Sequence, residues 1–110
     1  MTRRVLPQRR PVRTFDLVHR TETAEQTYTV SVGYFCDGDT LTPGEIFLNG
    51  GKIGSAVEAI ARDAAILLSI MMQHGIDVRI LRGTVTREAS GAPASIIGAV
   101  IDKLVEERDE

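Results

Sequence analysis

Apolar residues fall into three patterns along the chain. In 27–35, Tyr28, Val30, Val32 and Tyr34 alternate with Thr27, Thr29, Ser31 and Gly33, the period of a half-buried strand. Shorter runs of the same kind, "TFDLVHR" at 14–20 and "EIFLN" within 44–49, flank it across turn-forming "TETAEQ" and "CDGDTLTPG". Strands this close in sequence pair antiparallel as a meander. The second pattern has helical spacing. Val57, Ile60, Ala61, Ala64, Leu67, Leu68 and Met71 recur at i, i+3, i+4, i+7 and predict a helix over 55–74, with this stripe facing the core. Ser55 followed by Glu58 is a capping-box pair, and Gly75 is a terminator. Ile66, Ile70 and Met72 widen the stripe, so that "AAILLSIMM" is apolar on nearly every side. The third pattern, Ile97, Val100, Ile101, Leu104 and Val105 behind Ser95 as cap, predicts a C-terminal helix over 95–108. Between the helices, 77–85 reads either way: Ile76, Val78 and Ile80 alternate as in a strand, while Asp77 suits a helix cap. The fold class expected is α+β, three antiparallel strands followed by helices.

Composition changes this picture little. With 110 residues, 43% hydrophobic and 25% charged, the chain has the make-up of one soluble globular domain. The net charge of −2 gives no support to a nucleic-acid or membrane surface as main partner. Charge placement adds more. Arg3, Arg4, Arg9, Arg10, Arg13 and Arg20 face one acid, Asp16, in the first twenty residues, and the last nine are mostly acidic. With its two prolines, 1–13 reads as an extended basic arm preceding a single domain over 14–110. The arm is either solvated or docks on a nucleic acid or on an acidic patch of a partner, such as the tail of a neighbouring copy. "MTRRVLPQRR" lacks the apolar run of a signal peptide, and no segment has the roughly 20 apolar residues that span a bilayer. The expectation is a cytoplasmic protein with no membrane partner.

Several residues were weighed for chemistry. "NGGKIGSAVE" joins the third strand to the long helix. Gly50, Gly51, Lys52, Gly54 and Ser55 could hold a phosphate or nucleotide at a helix start, yet the P-loop order, with lysine after the last glycine, is not present. A tight corner in which a glycine takes positive φ and Ser55 caps the helix is the preferred reading. Cys36, the single cysteine, stands beside Asp37 and Asp39, a poor setting for a nucleophilic thiolate. Asp37 and Asp39 around Gly38 read as a turn rather than part of a calcium loop. His19 and His74 are distant in sequence, so no metal set, catalytic set or cofactor site is expected.

The order of pieces, "YTVSVGYF", then "GEIFLNGGKIGS", then a helix ending "SIMMQHGIDV", resembles the TSCPD domain. The likeness covers 6–106 and includes the "LPQRRP" entry. That domain occurs at the carboxyl end of adenosylcobalamin-dependent ribonucleotide reductases and as small stand-alone bacterial and phage proteins. The family's Thr-Ser-Cys-Pro-Asp run corresponds here to "ASIIGAVID", with Ser95 but neither the cysteine nor the proline. The reductases also use further cysteines for redox relay and a radical-generating barrel of several hundred residues. The resemblance therefore implies the fold and an association with nucleotide reduction and deoxyribonucleotide synthesis, and it supplies no catalytic residue. The function expected is a binding or assembly module, not an enzyme on its own. It would self-associate through a face holding Ile66, Ile70 and Met72, with a nucleotide-reduction enzyme as a further partner. The alternative is a reductase component that binds nucleotide or phosphate at Gly50–Ser55.

Overall fold

A computed structural model describes residues 2–50 and 54–108. Strands β1 (Val12–Arg20), β2 (Glu25–Asp37) and β3 (Thr40–Gly50) are followed by helices α1 (Ala56–Gln73), α2 (Val78–Arg82) and α3 (Ile96–Arg108). The strands form an antiparallel meander in the order β1-β2-β3, and the fold is α+β as expected. The strands are longer than the alternation suggested. β2 and β3 run to a two-residue hairpin turn at Gly38-Asp39, with Gly38 at φ 64° and Asp37 paired to Thr40. The two aspartates of "CDGD" thus belong to a hairpin. The segment read either way resolves as a helix. Asp77 caps α2, its Oδ1 accepting from Arg79 N–H at 3.0 Å.

One face of the sheet carries the core. Phe15 and Leu17 stand opposite Val30 and Tyr28, while Val32 and Val30 pair with Ile46 and Leu48. Val100, Ile101, Leu104 and Val105 of α3 close over this face, and α2 packs on α3. Ser95 caps α3 as the sequence predicts, accepting from Gly98 N–H at 3.1 Å. Ser55 does the same for α1, accepting from Glu58 N–H at 3.1 Å. α1 ends in a Schellman motif. Gly75 at φ 87° donates to Met72 O, and Ile76 N–H reaches back to Met71 O.

α1 lies along the outer edge of β3, and its rotation differs from the expected one. Of the predicted core stripe, Ala61 and Leu68 point inward, whereas Val57, Ile60 and Leu67 are 62%, 68% and 62% exposed. The buried face is Ala61, Ala65, Leu68, Ser69, Met72 and Gln73. The reason is hydrogen bonding. An edge strand presents unpaired N–H and C=O groups, and burying them under a helix requires polar partners. Ser69 Oγ accepts from Ile46 N–H at 2.8 Å and sits 2.7 Å from Ala65 O, to which it donates. Gln73 Nε2 donates to Gly44 O at 2.8 Å. A helix turned by its hydrophobic stripe alone would leave these groups orphaned. Met72, expected on an outer face with Ile66 and Ile70, is carried into the core by the same rotation and is 7% exposed.

The segment before β1 is strapped to the outer sheet face. At a bulge opposite Gly33/Tyr34, Gly44 is the extra residue of β3. A Cβ there would lie 2.6 Å from the Phe35 ring and 2.9 Å from Leu6. Leu6 and the Arg4 guanidinium, 4.0 Å from the ring centroid, cover Phe35. Arg10 grips Glu45 with two nitrogens, and the Glu45 side chain lies where a Cβ on Gly33 would be. Four of the early arginines have an internal carboxylate: Arg4–Asp37, Arg10–Glu45, Arg13–Glu107 and Arg20–Glu25. The expected extended arm is therefore largely neutralised within the chain, and Val12 and Arg13 already belong to β1.

Two outcomes follow from this packing. Ser69→Ala leaves Ile46 N–H buried and unpaired, so chemical denaturation should report a loss of about 1–3 kcal/mol; a loss below about 0.5 kcal/mol would refute the edge-capping role. The second concerns Asp102, whose carboxyl is held below its ordinary value by hydrogen bonds from Arg87 at 2.6 and 2.9 Å, then by the nearby charges of Arg87 and Arg82. A depressed folded-state pKa contributes stability above the unfolded-state value and loses it as pH falls through the folded value. Asp102→Asn should therefore be less stable than the parent at neutral pH, and the gap should shrink below about pH 4. A gap independent of pH would mean that the ion pair contributes nothing.

Candidate binding site

A concavity along α1 follows from the edge contact. Ser69 and Gln73 hold the helix against the strand at one level, and the outer sheet face and the outward flank of α1 splay apart above it. The resulting groove, about 570 Å³, has Ile46, Leu48, Ala65 and Ser69 as floor. Phe47 projects from the sheet on one side, and Ile66 and Ile70 from the helix on the other. Phe47 and Ile66 are both more than half exposed. Arg62 and Arg3 mark its two ends; Arg3 is placed beside Gln73 by the strapped segment. From position 62 to 73 the helix rises about 16 Å. Apolar walls with a few polar groups are the ordinary make-up of a small-molecule site.

The polar groups around the groove are differently committed. Glu45 is buried, and both its oxygens are held by Arg10, with Nη2 to Oε1 at 3.1 Å. Ser31 bonds with Thr14 across the strands at 3.0 Å. Arg62 has only a loose contact with Glu58, at 3.4 Å. A second concavity, about 730 Å³, lies between the start of β1 and the end of α3 and is lined by Arg13, Tyr34, Arg79 and Arg108. Its charges are largely met: Arg13 pairs with Glu107, and Arg79 and Arg108 lie 3.6 and 3.5 Å from Asp77. Burial pushes the Tyr34 phenol above its ordinary value, with Arg13 opposing.

The residues singled out from sequence are distributed as follows. Gly50 and Gly54 take positive φ, 141° and 78°, and Ser55 caps α1, which is the corner-and-cap geometry. Gly51 and Lys52 lie outside the described residues. Glu58 already places a carboxylate in the first turn, where it competes with any anion for the helix dipole. Ile66 and Ile70 come together in the groove, and Met72 does not join them. Cys36 is exposed, its thiol directed to Gly38 O at 3.4 Å, and His74 is the C-cap of α1. Among the described residues no three His, Cys, Asp or Glu side chains converge as metal ligands, and no helix is long and apolar enough to cross a membrane.

Sequence reasoning missed Arg3, Phe47 and Gln73. Two polar residues, Ser69 and Gln73, at i, i+4 in an otherwise apolar helix were the available signal for a buried polar contact. No curated protein and no solved structure matches the chain. The family model described as the TSCPD domain, a domain associated with ribonucleotide reductases, matches residues 2–106. A match across nearly the whole length, on a meander followed by helices, means that the chain belongs to the TSCPD domain family.

Proposed function

We propose that this protein is a non-catalytic binding and assembly module that pairs with a second copy through α1 and acts as an accessory to ribonucleotide reduction. The observation that carries the pairing is the outward seam of α1. Val57, Ile60, Ala64, Leu67 and Met71 follow one another at steps of three and four, the spacing of a coiled-coil seam. Three of them are more than 60% exposed. A contiguous exposed apolar stripe on a soluble domain marks an interaction surface. It is also close to symmetric about Ala64, with neighbours seven and four residues before and three and seven after. An antiparallel copy would set Val57 against the partner's Met71 and Ile60 against the partner's Leu67. The two Ala64 side chains would meet at the centre, small enough for close approach. A two-fold contact of this kind uses one self-complementary patch. The accessory role rests on the family's association with reductases. The single cysteine supplies no thiol pair for a redox relay.

Sedimentation equilibrium at tens of micromolar tests the pairing, since an interface of modest area holds with micromolar affinity. The parent should be dimeric, and Leu67→Glu should be monomeric and folded, with a melting temperature that, unlike the parent's, does not depend on protein concentration. Ile66→Glu, on the groove side, should remain dimeric. A monomeric parent, or dissociation by Ile66→Glu and not by Leu67→Glu, would refute the seam. Ribonucleotide turnover by the isolated protein with adenosylcobalamin and a dithiol would refute the non-catalytic assignment.

A further inference from the structure

Arg3 is held unlike Arg4, Arg10, Arg13 and Arg20. Its Nε donates to Gln73 Oε1 at 2.6 Å, and the following residue's N–H donates to Gln73 O at 2.7 Å. Gln73 is buried, and its amide nitrogen is spent on Gly44 O. Arg3 is thus fixed by a neutral amide rather than by a carboxylate. Its two terminal nitrogens have no acceptor among the described residues. Arg4, Arg10, Arg13 and Arg20 each have a carboxylate instead. The one acid on the groove wall, Glu45, is already neutralised by Arg10. An oriented guanidinium with its end-on fork unused is suited to bidentate contact with an oxyanion. Beside it are Phe47, Ile66 and Ile70, an apolar surface with an aromatic ring, in a groove of about 570 Å³. Arg62 supplies a second positive charge at the far end.

We propose that the groove between β3 and α1 binds a small organic anion, its apolar body against Phe47, Ile66 and Ile70 and its carboxylate or phosphate on the terminal nitrogens of Arg3. The apolar wall supplies most of the binding energy, and the guanidinium selects for charge. Both parts are needed: an exposed arginine alone gains little in water, and an open apolar wall alone does not discriminate anion from neutral molecule. This site is separate from the helix start at Ser55 and from the outward seam of α1, so it stands whether or not the protein dimerises.

The test titrates isotope-labelled protein with naphthoate, naphthyl phosphate and the neutral naphthamide, following backbone amides by NMR. Both anions should produce saturable shifts at Phe47, Ile66, Ile70 and Gln73, and the tighter of the two identifies the preferred oxyanion. Naphthamide should bind at least about tenfold more weakly, a difference of about 1.4 kcal/mol. Arg3→Gln should bring the anions to the naphthamide level. Ile66→Ser should weaken all three probes, and Leu67→Ser should change nothing. Equal binding of naphthamide, full affinity in Arg3→Gln, shifts confined to Val57, Ile60 and Leu67, or no saturable shift would each overturn the proposal. Because Arg3 lies on the surface strap, spectral dispersion of Arg3→Gln checks that the fold is retained. Ile66→Ser tests the same site without touching the strap.

Discussion

β3 is the outer strand of a three-stranded sheet, and its outward backbone groups have to be satisfied while a helix covers them. The remaining packing depends on how this is done. Ile46 N–H and Gly44 O face α1 rather than another strand, and Ser69 and Gln73 meet them. Two polar residues four apart occupy successive turns of one helix face, which locks both the rotation and the axial position of α1. With α1 locked, Ala61, Ala65, Leu68 and Met72 are the side chains that reach the core. Two of these are alanines, which lets the helix approach the strand closely. Gln73 extends the same constraint to the start of the chain, because its own oxygens receive Arg3 and Arg4. Edge strand, helix and strap therefore form one connected unit.

This also explains which parts were legible in the sequence. Alternation in 27–35, the caps Ser55, Asp77 and Ser95, and the terminator Gly75 are local signals. They placed five of the six elements in order and type because short-range geometry decides them, and left 77–85, which is α2, open between helix and strand. The orientation of α1 was not local. Its apolar residues cover much of the circumference, so periodicity cannot choose between stripes one residue, or about 100°, apart, and the choice falls to a hydrogen bond formed with a strand 23 residues earlier. The stripe chosen from periodicity alone, with Val57, Ile60 and Leu67 inward, is largely the one that faces out. The strap was illegible for a similar reason. Six arginines near the start read as an unsatisfied charge, but four of them have carboxylates, from Asp37, Glu45 and Glu107, far along the chain, and from Glu25.

Gly33 and Gly44 illustrate how the outer sheet face is specialised. Neither is placed there for turn geometry. Gly33 leaves room for the Glu45 side chain to lie across β2 under Arg10, and Gly44 leaves room for Phe35 and Leu6. A buried ion pair of this kind is a weak source of stability, since desolvation offsets much of the attraction. Its consequence is positional: it fixes the strap, and through the strap the side chain of Arg3. The candidate site was legible only in part. Sequence reasoning puts Ile66 and Ile70 together with Met72 on a self-association face, but Met72 turns inward, and Phe47 on the sheet and Arg3 on the strap join Ile66 and Ile70 in the groove only through tertiary structure.

α1 consequently presents three distinct surfaces. About 120° of its circumference serves the core and the β3 edge, and the remainder divides between the groove side, with Ile66 and Ile70, and the seam of Val57, Ile60, Ala64, Leu67 and Met71. α1 carries apolar residues beyond its buried face, and Val57, Ile60, Ile66 and Leu67 stay more than half exposed. The two uncovered surfaces differ in kind. The seam is apolar and self-complementary, without an oriented charge, and such a surface suits a large, flat, like-for-like contact. The groove is concave, has an aromatic side chain and is bounded by cations, and such a surface suits a small anion. Because core, groove and seam meet on one rigid helix, a ligand in the groove and a partner on the seam would sense each other only if α1 shifted against β3. Ser69 and Gln73, bonded to Ile46 N–H and Gly44 O, oppose that shift.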